Sequence, residues 1–194
     1  MFFLHKERKS RIKKSDEVFE MKIILIAGKA RSGKSSCASL LKTLCTEKNY
    51  KVAITEYSKY IKLFAKELIG WDGVSLPKPR KFLQDFGSYV RHSSNDPYYF
   101  IRRMKEDIAI YEHFVDILII SDVRFPSEIT ELEYLHPLTI KVENNLETSD
   151  LSLQEQAHET EHALDNFTKF DYSIKDKSLS EMREILKKIV EEEL

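Results

Sequence analysis

Along residues 22 to 194, short apolar runs alternate with longer stretches in which apolar side chains return every three or four positions. KIILIAG (22–28) is a continuous apolar run ending in glycine, as in a strand buried on both faces. SSCASLLKTLCTEKN follows with helical spacing. KVAITEY (51–57) predicts a second strand, and YIKLFAKELIG predicts a helix stopped at Gly70. The WDGVSLPKP stretch is a loop, punctuated by Gly73, Pro77 and Pro79. Residues 80–92 and 97–113 predict two helices, the second opened by Asn95-Asp96-Pro97. VDILIIS (115–121), LTIKVE (138–143) and FDYSIK (170–175) predict three more strands. A helix opened by Pro126 spans 126–135, and residues 144–168 are polar. Ser178 and Glu181 have the spacing of a capping box, ahead of an apolar stripe of Met182, Ile185, Leu186, Ile189 and Val190. Such alternation predicts an α/β domain: a five-stranded parallel sheet between two layers of helices.

Residues 1–20 break the pattern. Lys6, Arg8, Lys9, Arg11, Lys13 and Lys14 crowd together without apolar periodicity, so this part reads as a basic N-terminal extension to a domain over 21–194. Over the whole chain, 31 Lys and Arg nearly balance 32 Asp and Glu. That balance argues against a binder of nucleic-acid polymers, which carries a basic excess. No apolar run approaches the ~20 residues of a membrane span, and MFFL turns at once into HKERKSRIKK, unlike a signal peptide. Cys37 and Cys45 fall on one predicted helix roughly 12 Å apart, beyond the roughly 7 Å reach of a disulfide. Reduced cysteines fit a cytoplasmic protein.

The candidate chemistry starts at Gly28-Lys29-Ala30-Arg31-Ser32-Gly33-Lys34-Ser35, which fits G-x-x-x-x-G-K-[ST] between a buried strand and a helix. In such a loop the glycines let successive N–H groups face inward, and the helix N-terminus adds partial positive charge. Lys34 is placed for the β- and γ-phosphates of ATP and Ser35 for Mg²⁺. The strand at 115–121 runs into Ser121-Asp122-Val123-Arg124. Asp122 is placed to hold Mg²⁺ or its water, and Arg124 to meet phosphates with a bidentate fork. Lys62, Arg80, Arg91, Arg102 and Arg103 add cations on predicted helices, as two polyanionic substrates would require.

AGKARSGKSS, RKFLQDFGSYVR, SDVRFPSEI and HETEHALDNFTKFDYSI stand in one order, and in that order the chain resembles the deoxynucleoside monophosphate kinases of phage and bacterial type. The same string is similar to animal-type phosphomevalonate kinases. The resemblance implies the three-layer P-loop fold of nucleoside monophosphate kinases, with a lid at about 144–168, use of ATP and Mg²⁺, and a small phosphorylated acceptor. It implies that Gly28, Lys29, Arg31, Ser32, Gly33, Lys34, Ser35 and Ser36 hold the ATP phosphates. Ser58, Lys62, Gln84, Arg91, Arg124 and Glu161 would meet the acceptor. Lys34, Arg91, Asp122 and Arg124 would assist transfer, with Ser35 and Asp122 at the metal.

Two departures stand out. That family carries arginines in its lid, whereas here no Lys or Arg occurs between Lys141 and Lys169. The last predicted strand is followed by Asp176 where the family tends to have asparagine. A different phosphorylated acceptor, such as phosphomevalonate or dephospho-coenzyme A, stays open, as do a nucleotide-binding regulatory module and a homodimer. His158-Glu159-x-x-His162 also spells a zinc-protease helix. That reading lacks the third ligand's motif and leaves the phosphate loop idle, so it is set aside.

Overall fold

The computed structural model describes residues 20–93, 96–144 and 152–194. The basic extension, apart from Glu20, and lid residues 145–151 lie outside these. Five parallel strands, β1 (Lys22–Ala27), β2 (Val52–Thr55), β3 (Ile117–Val123), β4 (Leu138–Glu143) and β5 (Tyr172–Lys175), form one sheet in the order β2-β3-β1-β4-β5. In register, Ile24 lies beside Ile119 on β3 and Leu138 on β4. The helices are α1 (Lys34–Glu47), α2 (Lys59–Ile69), α3 (Arg80–Ser93), α4 (Tyr99–Tyr111), α5 (Pro126–Thr130), α6 (Leu153–Gln156) and α7 (Leu179–Glu193).

Alternation along β1 separates two cores. Ile24 and Ile26 join Leu41, Leu44, Leu186 and Val190 from α1 and α7 on one face. Ile23, Leu25 and Ala27 join Ile61, Phe100, Met104 and Ile108 from α2 and α4 on the other. Because both faces are covered, β1 and β3 can be apolar throughout, and each buried Leu or Ile contributes about 1.5–3 kcal/mol. Cys37 and Cys45 are free and buried on α1. Burial pushes their thiols up to about 12 and about 11, which leaves them unreactive. No described helix is long and apolar enough to cross a membrane.

The elements follow the sequence pattern closely, with two shifts. Strand β3 continues through Val123, so Asp122 sits inside the strand rather than after it. The predicted helix at 126–135 is not continuous. It ends at Thr130, and a 3₁₀ turn at Glu133–Leu135 closes on His136 at φ +47, tightening the chain for its reversal into β4. The expected caps are present: Ser178 Oγ accepts from Glu181 N while the Glu181 carboxylate accepts from Ser178 N, and Gly70 ends α2 at φ +68. Since all strands are parallel, the ends of β1, β2 and β3 deliver residues far apart in sequence to one edge of the sheet.

Candidate active site

The phosphate loop leaves β1 at Gly28, whose φ is +148. A β-carbon there would lie 2.2 Å from the Val142 carbonyl oxygen and 2.7 Å from Ser32 Oγ, so only glycine lets the loop pack against β4. Gly33 at φ +97 turns the chain into α1 and accepts a hydrogen bond from Cys37 N. Between the glycines Arg31 is left-handed at φ +61, which costs about 1–2 kcal/mol for a residue with a β-carbon. Ser32 is buried, and its hydroxyl has no hydrogen-bond partner among the described residues.

Lys34 is buried at the base of the loop, and its Nζ donates to the Lys29 carbonyl. Burial first, and the Arg124 guanidinium second, push its pKa down to about 7, against the opposing pull of Glu161 and Asp122. This ammonium is therefore poised to gain from an incoming anion. Ser35 is exposed and Ser36 half-buried on the first turn of α1.

The loop opens onto a cavity of about 500 Å³. Ala30, Arg31, Gly33, Lys34, Ser35 and Ser36 line one side; Gly28, Lys29 and Ser32 do not reach it. Instead, Lys29 Nζ turns away to Asp165 at 2.7 Å. Other walls come from the β2–α2 turn and the start of α2, from α3 and the residues just before it, from the end of β3 and the turn after it, and from lid residues Glu155, Thr160 and Glu161. Ser58, Lys62, Gln84, Arg91, Asp122, Arg124 and Glu161 all line this cavity. Arg102 and Arg103 do not: Arg102 pairs with Asp96 and Arg103 with Glu106.

Several of these side chains already have work within the fold. Asp122 Oδ1 accepts from Tyr57 N at 2.7 Å and Oδ2 from Ser58 N at 3.0 Å, which fastens the β2–α2 turn to β3. Glu56 accepts from Ser58 Oγ and pairs with Lys62. Gln84 Nε2 donates to the Glu155 carbonyl at 3.3 Å. Arg91 lies over the Phe125 ring, 4.6 Å from its centroid, and donates to Glu159 Oε1 at 2.9 Å; its Nε is buried without a hydrogen-bond partner among the described residues.

Glu161 lines the cavity and is also bonded within the fold. Its Oε2 accepts the Ala30 N–H of the phosphate loop at 2.7 Å, and both oxygens accept from Arg124 Nη1 at 3.1 and 3.2 Å. One lid carboxylate thus ties the phosphate loop to the arginine that follows β3. The zinc-protease geometry does not form. Residues 159–161 make a single 3₁₀ turn with His158 extended before it. His158 turns to Ser88 and Thr160, His162 to Asp165 and the Gln156 carbonyl. Among the described residues no cluster of His, Cys, Asp or Glu is suited to a metal ion.

Sequence reading passed over Glu128 and Lys78. Glu128 is buried, and its Oε2 accepts from Arg124 N at 2.6 Å and Phe125 N at 3.1 Å, fixing the turn that carries Arg124. Burial pushes its carboxyl up to about 8. The signal for it was the P-x-E start of α5, where a glutamate in the first turn can cap the preceding N–H groups. Lys78 lines the cavity from the loop before α3.

Fold and site together define an α/β phosphate-loop protein. No family model matches the chain, and no curated protein matches it in sequence. Solved structures that are similar include the APS kinase of Mycobacterium tuberculosis in complex with AMPPNP and APS, 14% identical over 89% of this chain and 98% of that one, with a TM-score of 0.48. Shikimate kinase from Aquifex aeolicus is 14% identical over 88% and 96%, TM-score 0.44, and a sugar kinase from a Janibacter species is 12% identical over 88% and 92%, TM-score 0.42.

Proposed function

We propose that the chain is an ATP- and Mg²⁺-dependent phosphotransferase, moving the γ-phosphoryl of ATP to the phosphate of a (deoxy)nucleoside monophosphate to give the diphosphate. The observation that carries this reading is a phosphate loop sharing one cavity with Lys62, Lys78, Arg80, Arg91 and Arg124. A single polyphosphate does not need so many cations; two anions brought side by side do.

In this reading the N–H groups of the loop and Lys34 hold the β- and γ-phosphates. An oxygen of the acceptor phosphate attacks the γ-phosphorus, the bond from γ-phosphorus to the bridging oxygen breaks, and ADP leaves. Arg124 and Arg91 offset the charge spread over the transferring group. The hard oxygen donors of Ser35 and Asp122 fit Mg²⁺, and each Asp122 oxygen keeps a lone pair beyond its backbone bond. Held there, the ion would supply positive charge that offsets the charge of the phosphates. No covalent enzyme intermediate is required.

One observation favours a second reading, a nucleotide-binding regulatory module: Arg124 and Arg91 are both held by lid carboxylates. Coupled ADP release with ATP and Mg²⁺ across a panel of nucleoside monophosphates, phosphomevalonate and dephospho-coenzyme A separates the two. Acceptor-dependent ADP release that is absent in Lys34→Ala supports the kinase. Nucleotide binding with no release on any acceptor supports the module.

A further inference from the structure

The basic residues that line the cavity outside the phosphate loop fall into two groups. Lys62, Arg91 and Arg124 are matched by Glu56, Glu159 and Glu161. Lys78 and Arg80 are both half-buried on the cavity wall, and among the described residues neither forms an ion pair. Glu155, the lid carboxylate that feels Arg80, is turned to the N–H of Ser152.

Lys62, Arg80, Arg124 and Lys34 are charged neighbours of Lys78, against the carboxylate of Glu56. That carboxylate is already bonded to Lys62 and Ser58. Burial, then these like charges, hold the Lys78 ammonium below the usual lysine range. A lysine with no task would turn its charge to water, because desolvation and like-charge repulsion both oppose this placement. Its backbone is also pinned: the Lys78 carbonyl accepts from Arg80 N at 2.7 Å, which sets Lys78 against the positive end of α3. Burial and the neighbouring cations favour an anion here, and Glu56 is the carboxylate that opposes one.

We propose that Lys78, with Arg80 beside it, is the seat for a phosphate oxygen of the acceptor. The seat rests on the two-anion reading of the cavity, yet it can be tested apart from turnover. The full chain, its phosphate loop filled by Mg²⁺ and a non-hydrolysable ATP analogue, is titrated with inorganic phosphate. Wild type is expected to saturate, K78M and K78Q to bind phosphate at least ~10-fold more weakly, and K78R to keep most of the affinity. Affinity for the analogue should stay within about twofold in all three variants.

Failure of the wild type to bind phosphate, or equal binding by the wild type and a folded K78M or K78Q, overturns the seat. Loss of analogue affinity in place of phosphate affinity also overturns it, because Lys78 would then serve the γ-phosphate. Weakened phosphate binding without acceptor-dependent ADP release keeps the seat and removes the kinase. Acceptor-dependent release whose KM for the acceptor is unmoved in K78M keeps the kinase and removes the seat.

Discussion

The phosphate loop and the wall that faces it across the cavity are built by different means. The loop is one contiguous stretch from Gly28 to Ser36, and its ligand groups are mostly backbone N–H vectors set by glycine conformations and the start of α1. The wall draws Lys62, Lys78, Arg91, Arg124 and Glu161 from separate elements, and all of these but Lys78 are held by a neighbour's side chain. A contiguous backbone site tolerates change in the surrounding surface but not in its own dihedral angles. A side-chain wall can lose a member and keep its fold, provided the partner left behind is not stranded in a buried position.

That contrast can be broken at several points. Lys34→Ala removes the one buried cation of the loop and should lower ADP release by about 10³-fold, read in the coupled assay at saturating ATP. Gly28→Ala forces a β-carbon against the Val142 carbonyl at a positive φ, and should destabilise the protein by about 3 kcal/mol in chemical denaturation as well as abolish nucleotide binding. Gly70→Ala has open space around it and only the φ cost, so it should lose about 1 kcal/mol and keep nucleotide binding.

On the wall, Glu161→Ala frees Arg124 and the Ala30 N–H together. We expect kcat to fall about 100-fold while nucleotide affinity changes within about threefold, and Glu161→Gln to recover part of the loss because it still accepts from Ala30. A rise in acceptor KM with kcat intact would instead make Glu161 a direct substrate contact.

A smaller effect separates the two sides by pH. Burial, with the charges of Arg124, Glu161, Asp122 and Lys78 facing it, pushes Lys34 down to about 7. Above that pH the free protein holds it neutral, whereas bound polyphosphate favours the ammonium, so binding takes up a proton. Affinity for a Mg²⁺–ATP analogue should fall roughly 10-fold between about pH 7.5 and about pH 9, and K34M should flatten the profile. By the same sign, the unfolded lysine holds its proton up to 10.5, so the fold gains stability from this group as pH rises from about 7. Last, Ser178→Ala should cost about 1 kcal/mol by thermal melting through its lost α7 cap and leave turnover alone.

The loop was legible in the sequence because a contiguous motif needs only local geometry: a buried run, two glycines at fixed spacing, and a helix start. The strands and the α7 cap were legible for the same reason, since period and capping chemistry act within a few residues. Asp122 and Arg124 were found by their place at a strand end, but their partners were not. That Asp122 holds the Tyr57 and Ser58 N–H groups depends on β2 lying beside β3, a pairing between residues about sixty positions apart in the chain. His158 and His162 show the opposite error, in which a local spelling suggested a metal helix and the fold made a 3₁₀ turn.

By itself the sequence determined an α/β chain with a phosphate loop, because hydrophobic period, glycine placement and caps are read over a turn or two of backbone. Only the tertiary structure decided which charges meet. It gave Glu161 to Ala30 and Arg124, gave Glu159 to Arg91, and left Lys78 among cations. Charge pairing depends on distances of a few ångströms between segments far apart in sequence, and the burial that sets its strength exists only once the sheet and its helices have packed.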